Sequence, residues 1–394
     1  MKALILDAEA REANVLNVPN PRPAANELLI KVESIALNPI DPLYVAHPLG
    51  CTGRTIGSDF AGRVVEVGSQ VSASANLREG DRVAGFLQGA CSIDQHSGAF
   101  AEYVAVPWDL VWPVPASISV EEAAGVSLVA LTAAQGIWYR MGLMAPFPYH
   151  REAVLKEHPQ WRQSAIDSLA EPETINIFVY GASTSVGLYA AQMTRISAKA
   201  SGKRIKLFGA ASKARWDFLR AGPYCYEHLV DYRDNDWPQQ VKALSGGAGI
   251  HYAYDGISEG DSVARVASTL ASSGKMAIVR SREGGAWKAD NLHIEPMYGA
   301  VWEGLGEEVQ YQGFTVPRSP AARAFAVVFY RWLSEALGRD IVPVPIRIMP
   351  GGLESVVKDG FALLGSGGME DRKVGRVEEW MRPVSAEKLV YSLR

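Results

Sequence analysis

Cysteine is scarce in this chain of 394 residues: Cys51, Cys91 and Cys225 stand far apart and form no CxxC pair. That scarcity argues against a disulfide framework and against a structural zinc knuckle. Long hydrophobic runs are missing too. The opening Met1-Lys2-Ala3-Leu4-Ile5-Leu6-Asp7 meets an acidic residue at once, too early for a signal peptide, and no stretch reaches the ~20 apolar residues of a membrane span. The expectation is a cytoplasmic protein with no membrane partner. Excess positive charge is absent as well. With 39 basic and 43 acidic residues the formal charge is −4, which offers no net pull toward nucleic acid. No internal repeat or low-complexity tract is visible. What remains is an ordinary folded composition, 48% hydrophobic and 21% charged, at a length that favours two domains.

The first third reads as β-rich. Leu28–Val32 and Arg63–Val67 are branched or alternating runs, Gly80-Asp81-Arg82-Val83 is a turn feeding a strand, and Phe100–Val106 stops at Pro107. Many short strands with turns between them predict a barrel-like β domain. Residues 121–141 are Ala-rich and suit a helix with acidic residues in its first turn. Residues 142–174 read as an insertion. From Ile175 the rhythm becomes strand–helix–strand, the signature of a parallel sheet with covering helices. After Ile346 come short strands, a helix over Leu353–Leu364, and a last strand, Lys388–Leu393, expected to rejoin the N-terminal domain.

The strongest local signal is Ile175–Tyr180 followed by Gly181-Ala182-Ser183-Thr184-Ser185-Val186-Gly187. An apolar strand runs through a turn of small residues into an Ala-rich helix. Small side chains let a pyrophosphate approach the backbone, and helix-start amides point unsatisfied N–H groups at it. Ser183, Thr184 and Ser185 add hydroxyl donors. The turn departs from GxGxxG, so a plain strand–helix turn is the competing reading. The next strand, Arg204–Phe208, ends in Gly209-Ala210-Ala211-Ser212-Lys213-Ala214-Arg215. No carboxylate stands at that tip to take a ribose 2′-hydroxyl, while one hydroxyl and two cations do, which favours the 2′-phosphate of NADPH. Solvated first-turn residues are the bland alternative, but cations are unfavourable at the positive end of a helix dipole.

These segments resemble the medium-chain dehydrogenase/reductase superfamily over nearly the whole chain. Gly57-Ser58-Asp59-Phe60-Ala61-Gly62-Arg63-Val64-Val65-Glu66-Val67-Gly68 is similar to its GxDxAGxVxxVG signature, Gly80–Val83 to its GDRV turn, and Gly98–Tyr103 to its GxxAEY strand. The resemblance implies a GroES-like β-rich domain (1–125 and 346–394) and a Rossmann-type, doubly wound parallel-sheet α/β cofactor domain (126–345). In the zinc branch a ligand Cys sits in the early loop and a ligand His in a GHE motif. Here those places read Ala36-Leu37-Asn38-Pro39 and Gly57-Ser58-Asp59, so no metal is expected.

Within the zinc-free branch the chain resembles the trans-acting enoyl reductases of fungal polyketide synthesis, of the lovastatin enoyl reductase kind. Val179–Thr184, the insertion, Asp231-Tyr232-Arg233, Pro350–Leu353 and Glu387–Val390 carry that resemblance. It implies NADPH as cofactor and, as substrate, an α,β-unsaturated thioester held on the carrier domain of a partner synthase. Ser183, Thr184, Ser185, Val186, Gly187, Ser212, Lys213, Ala214 and Arg215 would contact cofactor phosphates. Tyr232 would stack near the adenine, Val279 and Arg280 would lie near the nicotinamide, and loop residues Asn38, Ile40, Asp41, Pro42 and Leu43 would complete the cofactor set. Relatives often carry a Lys where this chain has Leu43.

For catalysis, Tyr44 is the candidate proton donor, against an aromatic that only packs. His47, nearby, equally reads as an exposed loop histidine. Thr132 lies where the resemblance brings a helix to the nicotinamide; bonding its own backbone is the alternative. Tyr298, Gly299, Ala300, Val301 and Trp302 correspond to a substrate wall or to ordinary core. Three functions stay open: a trans-acting enoyl reductase, a quinone or enone reductase, and a redox-neutral relative that works with a synthase. The resemblance favours a monomer over a homodimer.

Overall fold

Short apolar and β-branched runs in the first hundred positions become short strands, several of them buried over consecutive residues and so on both faces. The computed structural model describes residues 1–91, 96–162, 173–288, 292–311, 313–372 and 376–393, and the chain divides into two units.

The first unit comprises Met1–Leu128, Glu307–Arg318 and Ala326–Arg394. Strands β1 (Lys2–Asp7) and β2 (Glu12–Asn17) form an antiparallel pair. β3 (Glu27–Ala36), β4 (Asp59–Val67), β5 (Arg82–Phe86), β6 (Tyr103–Pro107) and β7 (Val111–Pro113) belong to one sheet. β3 is its hub, pairing with both β4 and β6, and the register shifts after Leu29 and Val32 bend it to do so. Leu28, Ile30, Ile35, Phe60, Val64 and Phe100 fill the core beneath it. The strand expected from Phe100 begins at Tyr103 instead, and Ala101 makes only an isolated bridge to Ala3.

The second unit comprises Val129–Gly306 and Ser319–Phe325. Its strands are β8 (Thr174–Tyr180), β9 (Arg204–Ala210), β10 (His228–Val230), β11 (Ile250–Asp255), β12 (Leu270–Ile278) and β13 (Met297–Tyr298). All pair in parallel, in the order β10-β9-β8-β11-β12-β13. In order of appearance within the unit that is 3-2-1-4-5-6, the order of a dinucleotide-binding sheet, with its switch point between β8 and β11. β8 is buried from Ile175 to Val179, as a strand covered on both faces requires.

Two further strands, β14 (Val309–Tyr311) and β15 (Phe314–Val316), pair antiparallel and group with the first unit, as does most of the helix Pro320–Ala336. The sequence pattern assigns 307–345 to the cofactor domain, whereas Glu307–Arg318 and the chain from Ala326 onward group with the first unit. β16 (Ile346–Met349) and β17 (Lys388–Ser392) close the chain, and β17 joins β3, returning the C-terminus to the first sheet.

The helix expected over 121–141 is broken into pieces. A Ser119/Glu122 capping box starts the helix Val120–Ala124, and the chain resumes as Ser127–Ala134 and then a π-turn, Gln135–Arg140. Of the 142–174 insertion, the helix Arg151–Glu157 is described, while 163–172 lie outside the described residues.

Candidate functional site

The carboxyl ends of the parallel strands carry most of the expected cofactor residues. Backbone bonds stitch these ends together: Ala182 N–H to Ala210 O (3.0 Å), Ala211 N–H to Val230 O (3.0 Å) and Gly256 N–H to Tyr180 O (3.0 Å). Ser183–Gly187, Ser212–Arg215 and Tyr232 thereby come together across three adjacent strand ends. Val279 joins them from β12 through its N–H to Ser258 Oγ (3.0 Å), and Tyr298 lies on β13 beside Ile278.

At the turn, Thr184 is the N-cap of the helix Ser185–Ser201. Its Oγ1 accepts from Gly187 N–H (3.0 Å) and donates its one hydrogen to Gly181 O (2.8 Å). The hydroxyl expected as a ligand donor is therefore spent on holding the turn. The helix ladder begins at Leu188 N–H on Thr184 O, so the amides of Ser185 and Val186 precede it. Gly187 is required by space: a Cβ there would stand 2.3 Å from Gly181 O. Ser183, Ser185 and Val186 are half-buried.

The second strand tip corrects one expectation. A carboxylate does stand there, supplied by Asp231 at the end of β10. It accepts from Lys213 N–H (3.2 Å) and Arg233 N–H (3.1 Å) and is nearly buried. Asp231 thus caps the short turn Lys213–Arg215 that precedes the helix Trp216–Arg220. The cations at that terminus need no outside anion to offset the helix dipole. The Lys213 ammonium is exposed, 3.9 Å from Asp234, and Tyr232 is exposed with the Arg233 guanidinium over its ring at 5.3 Å. Half-buried Ser212, exposed Lys213 and Ala214, and half-buried Arg215 complete a donor set of hydroxyl, amide and cation that fits a phosphorylated ribose.

Asp255, at the end of β11, carries no motif that marks it in the sequence. It is fully buried, accepts from Ile257 N–H, Ser258 N–H and Ser262 Oγ, and burial pushes its carboxyl up to about 6. Through Ser258 it fixes the loop that receives Val279. Arg280 is ion-paired with Glu259.

Thr132 is the only residue between Ala123 and Met141 that is not buried. A polar side chain breaking an otherwise buried helix is a site signal that burial alone reveals. Its carbonyl accepts from Tyr254 Oη (3.4 Å), and Gln135 Nε2 donates to Val301 O (3.3 Å), joining this segment to 298–302. Ala300, Val301 and Trp302 are core, and Tyr298 and Gly299 are half-buried. Gly299 makes room for a buried pair, Arg140–Glu303 (2.8 Å), since a Cβ there would stand 1.9 Å from Arg140 Nη2. Burial also raises the Glu303 carboxyl. The two partners lie far apart in the chain, and no local pattern announces them.

In the first unit the short helix Ile40–Ala46 carries the remaining candidates. Ile40 and Leu43 are half-buried, and Asp41, Pro42 and Tyr44 are buried. Asn38 is engaged at both ends of its amide: Oδ1 accepts from Lys388 Nζ (2.8 Å), and Nδ2 donates to Asp59 Oδ2 (2.9 Å). Lys388 also pairs with Asp59 at 2.6 Å, and Asp59 accepts from Leu128 N–H. The chain's own ammonium therefore sits among these oxygens. Asp41 accepts from Asn38 N–H and Ser58 Oγ, and burial pushes its carboxyl up to about 7. Tyr44 Oη lies 2.8 Å from Gln88 Nε2. His47 is exposed at the end of the helix.

Among the described residues no cluster of three or more His, Cys, Asp or Glu side chains is placed to hold a metal ion, and no helix is long and apolar enough to cross a membrane. The alcohol dehydrogenase GroES-like domain family matches residues 24–116. A trans-enoyl reductase of Alternaria alternata is 27% identical over 394 residues, spanning 100% of this chain and 98% of that protein. The CurK enoyl reductase structure superposes with a TM-score of 0.66 at 17% identity, covering 99% of this chain and 98% of that one. A mycobacterial protein complexed with NADPH gives 0.65 at 20% identity, covering 100% of both. The matched domain, the sheet order and the full-length likeness identify an oxidoreductase with the fold of the medium-chain dehydrogenases/reductases, similar over its whole length to the fungal trans-enoyl reductases.

Proposed function

We propose that the protein is a trans-acting enoyl reductase that uses NADPH to saturate an α,β-unsaturated thioester presented by a polyketide synthase. The observation that carries the reading is the convergence of the Ser183–Gly187 turn, with helix-start amides, on Ser212, Lys213 and Arg215 at the next strand tip. NADPH, when bound, supplies a hydride to the β-carbon of the substrate. The chain's residues do the rest. Ser183, Ser185 and the amides of Ser185 and Val186 hold the pyrophosphate, and Lys213 and Arg215 take the 2′-phosphate. The Thr132 hydroxyl orients the nicotinamide ribose or the substrate oxygen. Tyr44 gives its phenolic proton to the α-carbon, which leaves a saturated thioester and a phenolate that solvent reprotonates.

Full-length likeness to trans-enoyl reductases supports the enoyl substrate and the synthase partner over a quinone. The test is a paired substitution, Lys213→Ala with Arg215→Ala. It is expected to weaken NADPH at least tenfold more than NADH in calorimetric titrations at fixed salt, because only NADPH carries the extra phosphate. Equal losses for both cofactors would reject the assignment. Turnover of small quinones with none of a carrier-linked enoyl thioester would reject the substrate.

A further inference from the structure

Gln88 stands just beyond β5 with no solvent exposure, and its amide nitrogen touches two oxygens: Tyr44 Oη at 2.8 Å and the backbone carbonyl of Gln310, on β14, at 2.8 Å. A carbonyl oxygen only accepts. The Gln310 contact therefore fixes which end of the amide faces this corner, because the flipped amide would set oxygen against oxygen. With Nε2 so placed, its second hydrogen meets the phenol, and Tyr44 must accept. The hydrogen of Tyr44 is consequently left to a partner other than Gln88. The cost of this orientation is visible: Gln88 Oε1 is buried with no hydrogen-bond partner among the described residues, an arrangement that works against stability.

Resting on the enoyl reductase reading, we propose that Gln88 is the positioning residue of the proton donor. Held by the Gln310 carbonyl, it donates to the oxygen of Tyr44, fixes the ring on its helix and keeps the phenolic hydrogen directed toward the substrate. Nothing is oxidised or reduced at Gln88. It forms a hydrogen bond to the atom that loses a proton, and that bond strengthens as negative charge develops on the phenol oxygen.

The experiment uses the full-length protein with Gln88→Met, which keeps side-chain length and removes the donor, together with Tyr44→Phe and the double variant. With NADPH and a pantetheine-linked crotonyl thioester, Gln88→Met is expected to lower kcat about tenfold, less than Tyr44→Phe does, and to leave KM for NADPH unchanged. Added to Tyr44→Phe it costs nothing more, because its effect passes through the phenol. Gln88→Glu, which can only accept from the phenol, is expected to lower kcat further than Gln88→Met. Losses that multiply independently would overturn the proposal.

A second readout needs no turnover. The NMR signal of the labelled Tyr44 ζ-carbon, assigned by its loss in Tyr44→Phe, shifts in Gln88→Met if the phenol accepts from Gln88. An unmoved signal overturns the contact. If the wild-type protein reduces no enoyl thioester, the functional reading fails by itself, while the ζ-carbon signal still decides the Gln88–Tyr44 bond.

Discussion

Replacing Lys388 by Met tests how the first unit holds its buried charges. The Lys388 ammonium and the Asp59 carboxylate are 3% and 0% exposed and 2.6 Å apart. Met keeps much of the aliphatic stem but removes the positive charge, leaving Asp59, among the described residues, with Leu128 N–H and Asn38 Nδ2 as donors. Breaking one side of such a pair strands a desolvated charge and costs about 3–5 kcal/mol. At a slope of about 2 kcal/mol per molar urea, that lowers the midpoint by roughly 2 M. Asp59→Asn alone strands the ammonium and is expected to cost a similar amount. The double variant behaves differently. Once Lys388 is gone the Asn38 amide can flip, so that its oxygen accepts from the amide nitrogen introduced by Asp59→Asn, while the oxygen of that introduced amide keeps Leu128 N–H. Most of the loss should return. The assay is urea unfolding read by hydrogen exchange in β3, β4 and β17, which isolates this unit. A Lys388→Met cost under about 1 kcal/mol, or two single losses that simply add, would refute the reasoning.

Two further outcomes follow from buried groups. Burial raises Asp41 to about 7 in the folded protein, well above the ~4 of an unfolded carboxyl, so the folded state binds the extra proton between those values. Stability contributed by this group is therefore greatest below pH ~4 and falls as pH rises toward 7, by on the order of 4 kcal/mol in all. Asp41→Asn, which can accept from Asn38 N–H and donate to Ser58, should remove that fall. Parallel stability curves for the two proteins across this window would contradict it. Gly299→Ala drives a methyl into the Arg140–Glu303 pair and is expected to cost about 3 kcal/mol in thermal or chemical unfolding. A change below about 1 kcal/mol would mean that the pair yields without loss.

The parallel sheet was legible because a strand buried on both faces must be apolar throughout, and Ile175–Tyr180 into a small-residue turn has that pattern. The return of Lys388–Ser392 to the first sheet was likewise readable from its position after the cofactor segment. Other features were not readable, each for a physical reason. Asp231 reaches the β9 tip from the neighbouring strand, and sequence distance hides that approach. Thr184 reads as a ligand hydroxyl until its two capping bonds are seen. Residues 307–318 follow the cofactor segment in sequence but group with the other unit, which a linear division of domains cannot express. The Gln88–Tyr44 contact joins residues 44 positions apart, and only the fold brings them together.

The most direct test of the central claim is transfer of isotope from cofactor to product. Full-length protein would be given NADPH deuterated in turn at each face of C4, together with a pantetheine-linked crotonyl thioester, and the product read by mass spectrometry and NMR. The account predicts a butyryl thioester carrying one deuterium at C3 from one of the two labelled cofactors, with the hydrogen gained at C2 coming from solvent. Recovery of unreduced thioester, or a reduced product with no deuterium at C3 from either cofactor, would contradict it.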